Sequence, residues 1–292
     1  MKPATRYGGQ HCLWCNATLT PHQRVTTQSC GARDCERQRT AELARAQIKR
    51  RAQEHEDLKS RLAGEHAARI SEVAVAHGLD RAGLRIAVTP FNDGVLAPIP
   101  DERREGLAAH LAEVAAEGFA IEDPHSLSWP AQRKAAVLPE PEVADAACAT
   151  CQGGCCRPGG PSWGFIGKEE VCRYRIANPD ATEEDFQKHY LDNLAAETIT
   201  GSCIFHTVTG CVLSREDRST LCNTVLCRGV KTMLAERAQE GEAQTVVIAA
   251  ERGVAHNLGA FDPERGWLGS ERVGGDDIET PVSGTAGIPE SG

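Results

Sequence analysis

Cys148-Ala149-Thr150-Cys151-Gln152-Gly153-Gly154-Cys155-Cys156 places four thiols within nine residues. Cysteines kept for packing scatter along a chain, because each fills only a small apolar hole. A C-x2-C-x3-C-C run instead wraps sulfurs around a metal, and Gly153 and Gly154 let the backbone turn tightly enough to bring them to one centre. Outward from this run, the segment Cys148 to Cys227 holds nine of the chain's 13 cysteines. They fall into the pairs Cys148/Cys151, Cys155/Cys156, Cys203/Cys211 and Cys222/Cys227, with Cys172 alone. Eight grouped thiols can hold two four-coordinate centres, or one cluster with the others left to structural or redox work. A vicinal Cys155–Cys156 disulfide is strained, so ligation is the favoured reading of that pair. Cys172 reads as a buried structural thiol, and His206, three residues after Cys203, as an alternative ligand that eight cysteines make unnecessary. Arg157 and Arg218 flank the groups, placed either to hydrogen-bond a thiolate-rich centre or to sit in solvent.

A second set lies near the start: Cys12-Leu13-Trp14-Cys15, then Cys30 and Cys35. Between the pairs, Thr18 to Thr27 is polar and Thr-rich and reads as a short hairpin. A helical pattern begins after Cys35, with Asp34 near its N-terminus, where an anion is favoured. Knuckle, hairpin and two ligands at a helix start resemble a treble-clef zinc finger, which implies structural zinc on Cys12, Cys15, Cys30 and Cys35. Four thiolates close a tetrahedral zinc, so that site would be architectural. The C-x4-C second pair is looser than the usual two-residue gap.

The cysteine order of the later segment carries a further resemblance. C-x2-C-x3-C-C, then Cys203-Ile204-Phe205, Gly210-Cys211-Val212-Leu213, and Arg218-x3-Cys222-x4-Cys227 resemble the YkgJ-like cysteine-cluster family, described as a zinc- or iron-chelating domain with eight characteristic cysteines. All eight have counterparts here, over roughly residues 148–230. Ser214 stands where that family often has an aromatic residue, and Ser219 where it often has a proline. The resemblance implies a zinc or iron–sulfur centre and hardly specifies a reaction. The family includes flagellin lysine N-methylases, so protein lysine N-methylation is a weaker alternative. No Gly-x-Gly-x-x-Gly turn after a strand marks an S-adenosylmethionine site.

Composition narrows the rest. Of 292 residues, 40% are hydrophobic but only 4% aromatic, which favours several small metal-supported units over one large core. The expected fold class is α+β: a finger over 1–36, a long linking helix over 37–78 broken near Gly64, a hairpin–helix module over 79–121, and a linker over 122–147. An irregular, mostly helical cysteine-cluster domain follows over 148–235, then an extension over 236–268 and a disordered tail over 269–292. In the hairpin, Leu84 to Val88 alternate as a strand, Asn92-Asp93-Gly94 turn, and Val95 to Ile99 return as an edge strand. Asp101 to Gly118 reads as an amphipathic helix. Ala243 to Ala250 fits strand and helix equally.

The net charge of −9 is uneven: residues 1–70 carry 13 Lys/Arg against seven Asp/Glu. A basic finger and helix could dock protein or nucleic acid, although the interleaved acids favour a plain solvated face. No apolar run approaches the roughly 18 residues of a membrane span, and no signal-peptide core is present, so a cytoplasmic location and no membrane partner are expected. Reduced thiols there point to metal over disulfides. The leading functional reading is a metal-binding protein whose cysteine cluster, zinc or iron–sulfur, serves redox or group-transfer chemistry. The alternative is a non-catalytic zinc-binding interaction module.

Overall fold

The computed structural model describes residues 9–126 and 142–273, and the chain divides into two units, Met1–Asp57 and Leu58–Gly292.

In the first unit an isolated bridge pairs His11 with Thr18. The expected hairpin over Thr18–Thr27 is instead a short helix, α1 (Pro21–Thr26). Thr20 caps it: its hydroxyl accepts from the Gln23 amide at 3.3 Å, and the Gln23 side chain takes the Thr20 amide at 3.0 Å. This reciprocal box, with Pro21 at the first helical position, outweighs the threonine content that suggested strands. Helix α2 (Arg33–Glu65) follows, with Asp34 and Glu36 in its first turn. Leu43 and Ile48 on it are exposed. The core of this unit is small: Cys12, Leu19 and Cys35, with Trp14 and Cys30 against them.

The last turns of α2, from Leu58, belong to the second unit. The expected break falls at His66, two residues beyond Gly64, and α3 (Ala67–Ala76) continues after it. Then come β1 (Arg85–Pro90), β2 (Leu96–Pro98), α4 (Asp101–Phe119), α5 (Glu142–Cys151), α6 (Lys168–Ala177) and α7 (Glu183–Asp192). Next are β3 (Glu197–Ile199), β4 (His206–Thr207), β5 (Gly210–Cys211), α8 (Thr220–Thr224) and α9 (Arg228–Glu240). Three strands close the series: β6 (Thr245–Glu251), β7 (Val254–Asp262) and β8 (Gly266–Arg272). The fold is α+β.

The strand pairing differs from the sequence reading. β1 does not fold back on β2. It pairs in parallel with β6, Val88 opposite Ile248, in a sheet of order β1-β6-β7-β8, while β2 pairs antiparallel with β3. The Asn92-Asp93-Gly94 signal was read as a hairpin turn. In the structure Asn92 is buried, and its side-chain amide donates to the Gln152 and Thr200 carbonyls at 3.1 and 3.0 Å. A polar residue that bonds two distant segments looks, locally, like a turn residue.

Ala243–Ala250 is resolved as strand β6, whose residues from Thr245 to Ala250 are all buried. Val246 and Ile248 meet Leu62, Ile70 and Val73 of α2 and α3 on one face; Val247 meets Ala146 and Ala147 of α5 and Val230 and Met233 of α9 on the other. A strand covered on both faces reads as a continuous apolar run, so periodicity could not separate it from a helix. A further core joins α4, α6 and α7 through Leu107, Leu111, Val171, Phe186 and Tyr190 to Phe205.

The expected linker ends in helix: Glu142–Cys151 is α5, and 127–141 lies outside the described residues. The tail expected from 269 is strand over its first residues, because β8 runs to Arg272; residues 274–292, where the rest of that expectation falls, lie outside the described residues. Among the described residues no helix is long and apolar enough to cross a membrane.

Candidate metal centres

In the finger, the Cys12 amide bonds the Ala17 carbonyl and the Asn16 amide bonds the Cys12 carbonyl, forming the knuckle that presents Cys12 and Cys15. Asn16 takes the left-handed conformation that closes it. The looser second pair is accommodated by Gly31, at φ +83°, which swings the chain from Cys30 into α2, where Cys35 sits in the first turns. All four sulfurs lie within 4.8 Å of one another, and those of Cys15 and Cys30 are 3.5 Å apart. Tetrahedral zinc with bonds of about 2.3 Å separates its sulfurs by about 3.8 Å, so the set fits such an ion. Burial pushes the Cys12 thiol up, but backbone amides, Trp14 first among them, outweigh it and carry the value down to about 6. Cys35 moves up, because it lies beside Cys15 and is desolvated. Four crowded thiols thus share protons that a metal would replace. This four-cysteine group can hold a metal ion.

The second set is built by six elements. Helix α5 carries Cys148 and ends on Cys151. The chain then turns through Gln152 and Gly153, at φ +52° and +78°, to Cys155 and Cys156. Cys203 follows β3, Cys211 lies on β5, Cys222 on α8, and Cys227 caps the N-terminus of α9. The sheet positions α5 closely: a Cβ on Gly259 of β7 would stand 1.9 Å from the Thr150 Oγ1, so only glycine admits this helix. Asn257 Nδ2 also donates to the Thr150 carbonyl at 3.2 Å.

Seven of the eight expected ligands, Cys148, Cys155, Cys156, Cys203, Cys211, Cys222 and Cys227, line one cavity of about 160 Å³. The eighth, Cys151, is buried beside it, its thiol against that of Cys155. Cys155 also meets Cys156 and Cys227. Cys203, Cys211 and Cys222 lie across the cavity, each within the field of Cys156. Cys155 and Cys222 reach the surface, so the cavity opens to solvent. Among the described residues, the group whose ligand atoms all lie within 4.8 Å of one another is that of the finger. The cavity thiols surround a volume, not a point.

Electrostatics divide the thiols. Burial pushes Cys203 up to about 12 and Cys222 to about 11. Cys227 falls to about 7, first because the Cys155 thiol bonds it, then because the Val230 and Gly229 amides at the start of α9 face it. Two arginines line the cavity, Arg215 and Arg218, and Arg218 is the one whose charge the thiols favour. It donates to the Leu213 carbonyl at 3.0 Å and lies 3.5 Å from Asp145. Burial disfavours its charge, but Cys211, Asp145 and Cys148 outweigh that. Arg157, the other flanking arginine, turns away to Asn92, Asp93 and Glu251.

Three further residues have clear positions. Cys172 is fully buried on α6, its sulfur 3.9 Å from the Gly118 carbonyl, away from the cavity. His189 bonds Asp217 at 2.8 Å and packs against Tyr190. His206 lines the cavity, is 1% exposed, and neither ring nitrogen has a hydrogen-bond partner. Burial lowers its value to about 4; the Cys148 carbonyl, beside the ring but outside hydrogen-bond geometry, acts the other way. A buried polar group left unpaired costs about 1–3 kcal/mol.

Sequence reasoning missed two supports. Asn92 holds the cysteine loop, accepting from Arg157 and, through its own amide, donating to the Cys151 carbonyl at 3.0 Å. Glu170, buried, accepts from the Gly167 and Thr220 amides at 2.9 and 3.0 Å, fastening the start of α6 to the start of α8 and hence Cys222. Local sequence did not reveal these roles, because the bonds of Asn92 to Arg157 and Cys151 and of Glu170 to Thr220 are made across the chain. Ser219 caps α8 by accepting from the Cys222 amide at 3.1 Å. No family model, curated protein or solved structure matches this chain.

Proposed function

We propose that this chain is a metalloprotein with two centres of different kind: a structural zinc on Cys12, Cys15, Cys30 and Cys35, and an iron–sulfur cluster in the cavity of the second unit, serving redox or group-transfer chemistry. The observation that carries this reading is the cavity wall itself. Seven thiols face about 160 Å³ of open space without closing on a single point. A lone zinc needs four sulfurs about 3.8 Å apart, as in the finger, whereas a cluster of iron and sulfide needs thiolates set around a volume. Arg218 offsets the negative charge of such a centre, and the mouth at Cys155 and Cys222 gives electrons or a substrate access. The resemblance to the YkgJ-like cluster supports a metal centre in this cavity, zinc or iron–sulfur alike.

A second reading, zinc at both sites and a docking role, is favoured by one feature of the finger. Leu13, Val25 and Leu43, each more than half exposed, line a groove with Trp14. One preparation separates the two. Purified without oxygen, the protein should carry about one zinc per chain together with iron, sulfide and a visible absorption that bleaches on reduction. Two or three zincs and no colour would replace the cluster with a zinc interaction module.

A further inference from the structure

The cavity wall contains one side chain that an all-thiolate site does not need. His206 opens β4, and the β4–β5 ladder sets it directly opposite Cys211. Residues opposite each other in an antiparallel pair project to the same side, about 5 Å apart at Cβ. The ring therefore shares a face with a thiol already placed at the cavity. From the other side comes the loop between Cys151 and Cys155. Gly153 approaches so closely that a Cβ there would lie 3.1 Å from the His206 Cγ. The Cys148 carbonyl also lies beside the ring. Three cysteine-bearing segments thus enclose one imidazole that is 1% exposed.

Both of its ring nitrogens lack partners, although the structure pairs buried polar groups nearby: Asn92 and Glu170 are both held by several bonds. A leucine or phenylalanine would fill the same volume at no polar cost. A neutral imidazole nitrogen is, beside thiolate, the other common ligand of zinc and iron. A metal-bound histidine typically gives its second ring N–H to a backbone carbonyl, a role open to that of Cys148.

We infer that His206 is a nitrogen ligand of the cavity centre, which therefore takes a metal ion or iron–sulfur cluster with mixed thiolate–imidazole ligation. This rests on the reading of the cavity as a metal site. It leaves one or more of the eight thiols outside the first coordination sphere. For an iron–sulfur centre, replacing thiolate by imidazole raises the reduction potential.

X-ray absorption tests this on the full chain. One preparation is loaded anaerobically with ferrous iron and sulfide and measured at the iron edge, a second is loaded with zinc alone and measured at the zinc edge. The finger offers only sulfur, so any nitrogen at bonding distance, about 2.0–2.1 Å for zinc, belongs to the cavity. The expected result is a nitrogen shell beside the sulfur shell in the wild type. It should be lost in His206→Leu and replaced by sulfur in His206→Cys, with the finger's sulfur-only zinc retained in both. His206→Cys keeps a ligand and so guards against a variant that merely misfolds. Metal above one per chain with a sulfur-only shell would overturn the role of His206 and leave the cavity centre standing. A nitrogen shell that persists in His206→Leu would also overturn it. Only one metal per chain, all-sulfur, would overturn both the ligand and the cavity centre.

Discussion

Replacing Gly153 by alanine tests how the cysteine loop is held. Gly153 sits at φ +78°, where a non-glycine residue costs about 1–2 kcal/mol. The added Cβ would stand 2.0 Å from the Ser202 Oγ and 3.0 Å from the Ser202 Cβ, besides its approach to His206. Rotation of the Ser202 hydroxyl relieves the first contact and breaks its 3.4 Å bond to the Gly153 carbonyl, but the second persists. Overpacking of that kind adds about 1–3 kcal/mol, for a total of about 2–5 kcal/mol. Urea unfolding at fixed metal concentration measures it, since metal bound only to the native state adds its own stability. With a slope of roughly 2–3 kcal/mol per molar, the midpoint should fall by about 1–2 M. Metal content should fall as well, because Cys155 and Cys156 move away from Cys203. Gly64→Ala is the control: nothing lies within 4 Å of its added Cβ, and within α2 it should stabilise by about 1 kcal/mol. A Gly153→Ala protein with wild-type midpoint and metal content would refute this account of the loop.

Other consequences are open to direct measurement. Glu170→Ala removes the bond that caps α6 at Gly167 and the one that ties α6 to α8 at Thr220, and should cost about 2–3 kcal/mol, seen as a lower melting temperature with reduced metal binding; an unchanged melt would mean that Cys222 is positioned by other contacts. Chelating the finger's metal should open residues 9–32 to proteolysis, because a core of Cys12, Leu19 and Cys35 is too small to replace the about 10–16 kcal/mol that structural zinc supplies; unchanged resistance would show the finger folds without it. Cys203 and Cys222, raised to about 12 and 11, hold their protons at neutral pH, so metal uptake there should release protons and tighten as pH rises; affinity that is flat from about pH 6 to 8 would contradict this. Without metal the same raised values stabilise the fold below the ordinary thiol value of 9.0, a contribution lost as pH climbs through their folded values. Cys172→Ala should cost about 1 kcal/mol and leave metal content unchanged; lost metal would make it a ligand.

The sequence by itself determined which side chains are the candidate metal ligands. Cysteine spacing is local, so the finger's four thiols, the C-x2-C-x3-C-C turn with its left-handed Gly153 and the amphipathic α4 were all legible along the chain. The α+β class was legible too, from periodicity. Tertiary structure decided whatever depends on partners distant in sequence. Strand β1 finds β6 some 160 residues away because Val88 and Ile248 share one buried face, and nothing near Asn92 could reveal that it bonds Gln152 and Thr200 in place of making a hairpin turn. The same holds for His206: a histidine three residues from a cysteine is ordinary in sequence. Burial without a hydrogen-bond partner arises only when the β4–β5 ladder and the Gly153 loop close around it. Local spacing sets which atoms can bind; desolvation and packing, which are properties of the assembled chain, decide which of them must.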